Sequence, residues 1–310
     1  MSTALLGGRS YAVCVGAAKA GTTTLYGLMS RHPEAAVTTV KETNFFFAEQ
    51  QFSLGLSEYM RRYFPKPGGA RLLFESDPVF MVAPGCMRRI REMVPEARII
   101  VMLRNPVDRA FSHYTYRLTY GRHDESFEEM CRAEPARIQG DVMNLLEYGF
   151  LARSRYSVQV REILELFPRE QVRFLVFEKF MRNQRTEFRS LQSWLGLTPI
   201  DIEEIKDNPT GPPRSALVAR LLYHPGLHGA RRALGSIAAL GGIKRPMVSL
   251  LQEFNRRDYR PGEKPRMAAT TRSALIDQFR EEIAATEALT GLDLSHWQKA
   301  SDAALAERAD

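Results

Sequence analysis

The segment Tyr11-Ala-Val-Cys-Val15 runs straight into Gly16-Ala-Ala-Lys-Ala-Gly-Thr-Thr-Thr24, and a helical pattern continues from Thr22 to Arg31. A strand that enters a helix through a glycine loop points backbone N–H groups at a common spot, the arrangement that cradles an anion. Gly16 and Gly21 admit positive φ and close backbone approach, while Thr22, Thr23 and Thr24 can cap the helix or donate hydroxyl hydrogen bonds. The geometry suits a diphosphate-like group; a glycine turn without a ligand is the plain alternative. A nucleoside-triphosphatase loop would carry its lysine directly after the second glycine, where this chain has Thr22. Its lysine is Lys19, before that glycine and inside the turn, which argues against ordinary ATP hydrolysis.

Short β-rich runs recur along the first two thirds: Tyr11–Val15, Ala36–Val40, Arg71–Phe74, Arg98–Leu103 and Val172–Phe177. Between them Thr22–Arg31, Ser53–Phe64, Met81–Val94 and Val107–Tyr120 have the length of crossover helices. The alternation predicts an α/β fold, a parallel sheet of about five strands flanked by helices. Glu147–Phe167 and Phe180–Leu195 are expected to be further packing helices. Beyond Leu197 the strand signal fades. A Pro/Gly-rich connection at Asn208–Pro213 leads into helical segments near Leu217–Tyr223, Met247–Phe254 and Thr270–Leu289. No linker separates two units, so residues 1–310 are expected to form one domain, with an α/β core at 1–197 and a helical extension at 198–310.

The fourth strand ends in Arg104-Asn105-Pro106, and the following helix carries Arg109, Ser112 and His113. Parallel sheets gather ligand sites at the carboxyl ends of their strands, and arginine grips phosphate bidentately. Arg109 is expected in a helix-surface salt bridge. After the second strand comes Lys41-Glu42-Thr43-Asn44-Phe45-Phe46, and after the third Glu75-Ser76-Asp77-Pro78. A carboxylate at that edge can take the proton of an attacking hydroxyl, and a cation can offset charge on a leaving oxygen. Glu42 can also be a surface acid paired with Lys41. Glu75 and Asp77 are candidates for orienting a substrate. The Phe45-Phe46-Phe47 run fits an acceptor pocket and the core equally well.

These segments resemble the sulfotransferases that use 3′-phosphoadenosine 5′-phosphosulfate (PAPS), whose first signature is a strand followed by a lysine, a glycine and a Thr/Ser pair, here Lys19-Ala20-Gly21-Thr22-Thr23. The resemblance implies that Lys19 contacts the donor near the bridging oxygen of the leaving phosphate, and that Gly21, Thr22, Thr23 and Thr24, with Ala20 between, bind the 5′-phosphate. The segment Leu103–Tyr116 is similar to the second signature, in which the arginine and serine matching Arg104 and Ser112 hold the 3′-phosphate. Lys41–Phe46 resembles the glycosaminoglycan-type branch, which implies Glu42 as general base. That branch commonly has lysine at the position of Ser76, and this chain does not. His113 is a rival base, because the aryl and steroid branch uses a histidine, although a packing role beside Ser112 suits it better. A basic loop at Arg256–Met267 resembles the region closing over the nucleotide, with Lys264 and Arg266 in the matching element. The resemblance covers most of the chain through the order of elements, and its specific residues lie before Tyr120. Adenosine 3′,5′-bisphosphate is the implied product, and no metal is called for.

Composition narrows the remainder. A chain of 310 residues, 44% hydrophobic and 25% charged, can bury a large core. No run reaches the roughly 20 apolar residues a membrane crossing needs, and Met1–Ser10 is too short and too weakly apolar for a signal peptide. Cys14, Cys86 and Cys131 are odd in number and widely spaced, which suits reduced thiols in a cytoplasm and implies neither disulfide nor zinc. The formal charge of +7 favours an anionic partner, such as a nucleotide, an acidic substrate, nucleic acid or a membrane surface. A P-loop kinase or NTPase, and less readily a basic nucleic-acid-binding protein, are the alternatives to an enzyme acting on a small-molecule or carbohydrate acceptor. No aromatic-basic RNA signature supports the second of these. The acceptor and the oligomeric state stay open.

Overall fold

The computed structural model describes residues 6–119, 125–205, 215, 263 and 265–298. Its strands are β1 (Ser10–Gly16), β2 (Ala35–Val37), β3 (Leu72–Ser76), β4 (Arg98–Leu103) and β5 (Val172–Val176). All pair in parallel, in the order β2-β3-β1-β4-β5. The chain builds leftward from β1 and then crosses from β3 to β4, so the order reverses between β1 and β4. Loops that leave a parallel sheet at such a reversal open a crevice. The central strands are buried on both faces, with Ala12 to Val15 and Ile99 to Leu103 all at 0% exposure, as a sheet covered by helices on each side requires.

The flanking helices are α1 (Thr22–Met29), α2 (Glu49–Phe52), α3 (Gly55–Tyr63), α4 (Cys86–Met93), α5 (Pro106–Thr119), α6 (Phe127–Arg137), α7 (Val142–Tyr148), α8 (Tyr156–Leu166), α9 (Phe177–Arg182), α10 (Gln184–Trp194) and α11 (Ala269–Thr290). Several expected bounds shift for local reasons. The third strand runs on through Glu75 and Ser76, since buried hydroxyls satisfy the Glu75 carboxylate inside the fold. The second strand stops at Val37, where the chain turns toward a left-handed Glu42. Glu147–Phe167 is two helices around a short 3-10 turn at Ala152–Ser154, because the chain breaks at Gly149. Helix α6 has no counterpart in the sequence expectations, although Ser126 and Glu129 form a full capping box at its start. The segments near Leu217–Tyr223 and Met247–Phe254 lie outside the described residues.

Helix α11 packs against α8 and α5, bringing the C-terminal segment onto the core. Ser157 donates its N–H and its hydroxyl to the Glu282 carboxylate at 2.6 and 2.9 Å. Trp297, 1% exposed, donates its indole N–H to Glu178 at 3.3 Å. Asn105 ties this segment to the sheet edge: its Oδ1 accepts from the Val107 and Asp108 N–H groups at 3.0 and 3.3 Å, capping α5 ahead of Pro106. Its Nδ2 donates to the Trp297 carbonyl at 3.1 Å. Replacing Asn105 with alanine removes the cap and the tie, and is expected to cost about 1–2 kcal/mol; urea unfolding of the two proteins measures the difference.

Candidate active site

The loop after β1 is held from below. Gly16 packs so closely that a Cβ there would stand 2.6 Å from Met81 Sδ and 2.8 Å from Met81 Cβ, so the backbone lies directly on that side chain. The Ala17 N–H donates to the Met102 carbonyl at 2.6 Å and the Ala20 N–H to the Ala17 carbonyl at 3.2 Å. Lys19 has φ 71 and Gly21 φ 85. Left-handed backbone at a lysine is uncommon and persists where surroundings enforce it. Gly21 stands at the N-cap of α1 and offers no capping side chain, which leaves the first-turn N–H groups directed at the crevice. A Cβ at Gly21 would reach 2.9 Å from Phe177 Cδ2, so a side chain is excluded by conformation and by space. Thr22 and Thr24 are buried and Thr23 is exposed. The arrangement fits an anion with several oxygens.

Arg104 leaves β4 beside this loop. Its Nη1 donates to the Lys19 carbonyl at 3.0 Å, and its guanidinium lies 4.7 Å from the Phe177 ring centroid. The Tyr156 hydroxyl donates to the Arg104 carbonyl at 2.9 Å. Ser112 is half-buried, two turns along α5 from Pro106. The two predicted phosphate signatures therefore meet at the β1/β4 crevice, joined by a direct hydrogen bond. Burial, and then the Arg104 charge, draw the Lys19 ammonium down to about 8, while Glu42 acts in the opposite sense.

Glu42 occupies the same edge, on the loop after β2. It has φ 65, and Asn44 has φ 54. This strained segment is braced by β3 and the residue that follows it. The Glu42 N–H donates to the Ser76 carbonyl at 3.2 Å, and the Asn44 N–H to Asp77 Oδ2 at 2.8 Å. Thr43 donates to Glu75, which also accepts from the Tyr11 hydroxyl at 2.7 Å and from Tyr59. The Glu42 carboxylate is exposed and pairs with the half-buried Lys41 at 2.5 Å. Of the two β3-edge acids expected at a substrate, Glu75 is instead enclosed, at 0% exposure with both oxygens bonded to hydroxyls. Asp77 is equally buried and holds backbone. Neither points a free carboxylate outward.

Residues 10–208 match the family model described as the sulfotransferase domain. The chain belongs to the sulfotransferase family. It is 28% identical over 192 residues to the human bifunctional heparan sulfate N-deacetylase/N-sulfotransferase 2, covering 60% of this chain and 22% of that protein. It is 28% identical over 190 residues to the mouse heparan sulfate glucosamine 3-O-sulfotransferase 3B1, covering 61% of this chain and 46% of that one. The chain thus spans less than half the length of these curated relatives. Among solved structures, a sulfotransferase from Alicyclobacillus acidocaldarius superposes with a TM-score of 0.66 at 27% identity, covering 94% of this chain and 99% of that one.

Other candidate residues sit behind the crevice. His113 is 3% exposed, packs 4.9 Å from the Phe150 ring and accepts from Arg117 Nε at 3.4 Å. Burial, followed by Arg153, Arg109 and Arg117, holds its imidazole well below the usual range, so it is neutral. Arg109 is not on the surface as expected; it is fully buried and bonds Ser154 Oγ at 2.6 Å and the Phe150 carbonyl. Phe45 and Phe46 lie in the core against Tyr59 and Phe80. Arg266 is exposed, and Lys264 lies outside the described residues. Among the described residues no group of three His, Cys, Asp or Glu could hold a metal ion, and no helix is long and apolar enough to cross a membrane. Sequence reasoning missed Tyr116 and Phe177, which contact Lys19 and Arg104. Tyr116 was legible as the residue one helical turn beyond Ser112.

Asp77 carries a pH signature. Burial first, then the charges of Glu75 and Glu42, push its carboxyl from 3.8 up to about 7. Between those values the folded chain keeps a proton that the unfolded chain has released, so stability falls as pH rises through that window. Asp77→Asn removes this contribution. The drop in urea midpoint between pH 5 and pH 8 is expected to be smaller in the variant than in the parent; an equal drop would show that Asp77 does not titrate there.

Proposed function

We propose that this sulfotransferase moves a sulfuryl group from PAPS to a hydroxyl of a carbohydrate or small-molecule acceptor, releasing adenosine 3′,5′-bisphosphate. The observation that carries this reading is the Arg104 bond to the Lys19 carbonyl, which brings a left-handed anion loop and a strand-end arginine to one crevice. A donor with phosphate at both 5′ and 3′ positions needs such a pair of anion sites. In the proposal the loop amides with Gly21, Thr22, Thr23 and Thr24 hold the 5′-phosphate end. Arg104 and Ser112 hold the 3′-phosphate, and Lys264 and Arg266 cover the nucleotide.

The acceptor oxygen attacks sulfur in line as its proton passes to the Glu42 carboxylate. The bond from sulfur to the bridging oxygen breaks, and its electron pair stays on that oxygen, now a phosphate oxygen of the leaving nucleotide. Lys19 stabilises the charge that gathers there. No covalent enzyme intermediate is required, so the protein's work is positioning and charge placement, as in phosphoryl transfer. Glu42 suits the base because strain and bracing hold it at the edge, and its partner Lys41 has to yield for proton uptake. The free thiols Cys14, Cys86 and Cys131 fit a reducing compartment, so a cytoplasmic setting belongs to the same reading.

The test is turnover with labelled PAPS across a panel of carbohydrate, phenolic and lipid hydroxyls. Lys19→Ala and Glu42→Gln are each expected to lower turnover by at least ~100-fold while the chain stays folded. Near-parental turnover in either variant would remove that residue from the mechanism. Label transfer to none of the acceptors would count against the donor.

A further inference from the structure

The Lys19 ammonium lies 3.9 Å from the centroid of the Tyr116 ring. Among the described residues no carboxylate forms an ion pair with it; Glu42, the acid that acts on it, is bonded to Lys41. Among the described residues the charged groups that act most on Lys19 are mostly of its own sign: Arg104 at the end of β4, Lys41 on the loop after β2 and Arg109 on α5, with Glu42 opposing them. An ammonium among cations and partly out of water loses charge readily, and the negative face of an aromatic ring counters that loss.

The type of contact matters. A carboxylate in the place of Tyr116 would neutralise the ammonium and occupy its N–H donors. A ring face attracts the charge and leaves those donors for oxygens of a bound anion. Tyr116 also stands one turn beyond Ser112 on α5, so the ring and the serine share a helix face beside the crevice. We propose that Tyr116 is a positioning residue whose ring keeps the Lys19 ammonium charged and aimed at the leaving oxygen, an inference that rests on the sulfotransfer reading above.

Competitive acetylation of the full chain with trace acetic anhydride, read at Lys19 by mass spectrometry across pH, reports the titration of that side chain directly. In Tyr116→Leu the midpoint is expected to move down by about 0.5–1 pH unit, and in Tyr116→Phe, which keeps the ring, to stay at the parental value. The maximal rate should fall about tenfold in the leucine variant, with KM for the donor changing less, and the phenylalanine variant should stay within about twofold of the parent. Thermal unfolding checks that the variants fold, and Tyr116→Met replaces the leucine variant if that one does not. An unmoved midpoint in the ring-less variant, or a phenylalanine variant as impaired as the leucine one, overturns the assignment to the ring. If the parent binds no adenosine 3′,5′-bisphosphate, the sulfotransfer reading itself fails and takes this role with it. Normal binding with an unmoved midpoint sinks the role of Tyr116 alone.

Discussion

The hydrogen bond from Arg104 to the Lys19 carbonyl ties the loop after β1 to the end of β4, and the rest of the crevice follows from it. A guanidinium bonded to a carbonyl is among the stronger uncharged-acceptor contacts, and here it is backed by the Phe177 ring beneath and by Tyr156, which fixes the Arg104 carbonyl. Lys19, whose carbonyl is so held, has left-handed backbone and places its ammonium over the Tyr116 ring of α5, and two residues on Gly21 starts α1 without a side-chain cap. The side chain proposed to hold an anion thus also braces this unusual backbone. The cost of that backbone is spread over contacts from β4, α8 and α9.

On the far side of the crevice a second strained segment is braced differently. Glu42 and Asn44 have positive φ, and the chain between them is pinned through Thr43 to Glu75 and through the Asn44 N–H to Asp77. These two acids look like substrate ligands in the sequence and are scaffolding in the fold. Their value is positional: a braced loop presents Glu42 at the carboxyl edge, where the proposed mechanism needs a base. Because one acid is buried beside another, part of that bracing is sensitive to protonation.

Much of this was legible in the sequence, because its strongest signals are local. The order of strand, glycine loop and helix, and the alternation of strands and helices along the first two thirds, predict a parallel sheet of about five strands, and that is the observed architecture. What escaped was decided by tertiary packing. Arg109 reads as a surface residue of a helix, yet α5 is covered by the 3-10 turn at Ala152–Ser154, so its guanidinium bonds Ser154 inside. Glu75 reads as the end of a strand, and only the fold reveals that Tyr11, Tyr59 and Thr43 converge on it. Phe45 and Phe46 suited a pocket as well as a core until Tyr59 and Phe80 closed around them.

The central claim is that the crevice reads a nucleotide with phosphates at both the 5′ and 3′ positions, through the Lys19 loop at one end and Arg104 with Ser112 at the other. Calorimetric titration of the full chain with adenosine 3′,5′-bisphosphate, adenosine 5′-phosphate and ATP–Mg²⁺ tests it most directly. The account predicts that the bisphosphate binds at least about tenfold more tightly than either competitor, the discrimination expected when a site built for a phosphate loses it. Equal binding of the two adenosine phosphates, or preference for ATP–Mg²⁺, would contradict it.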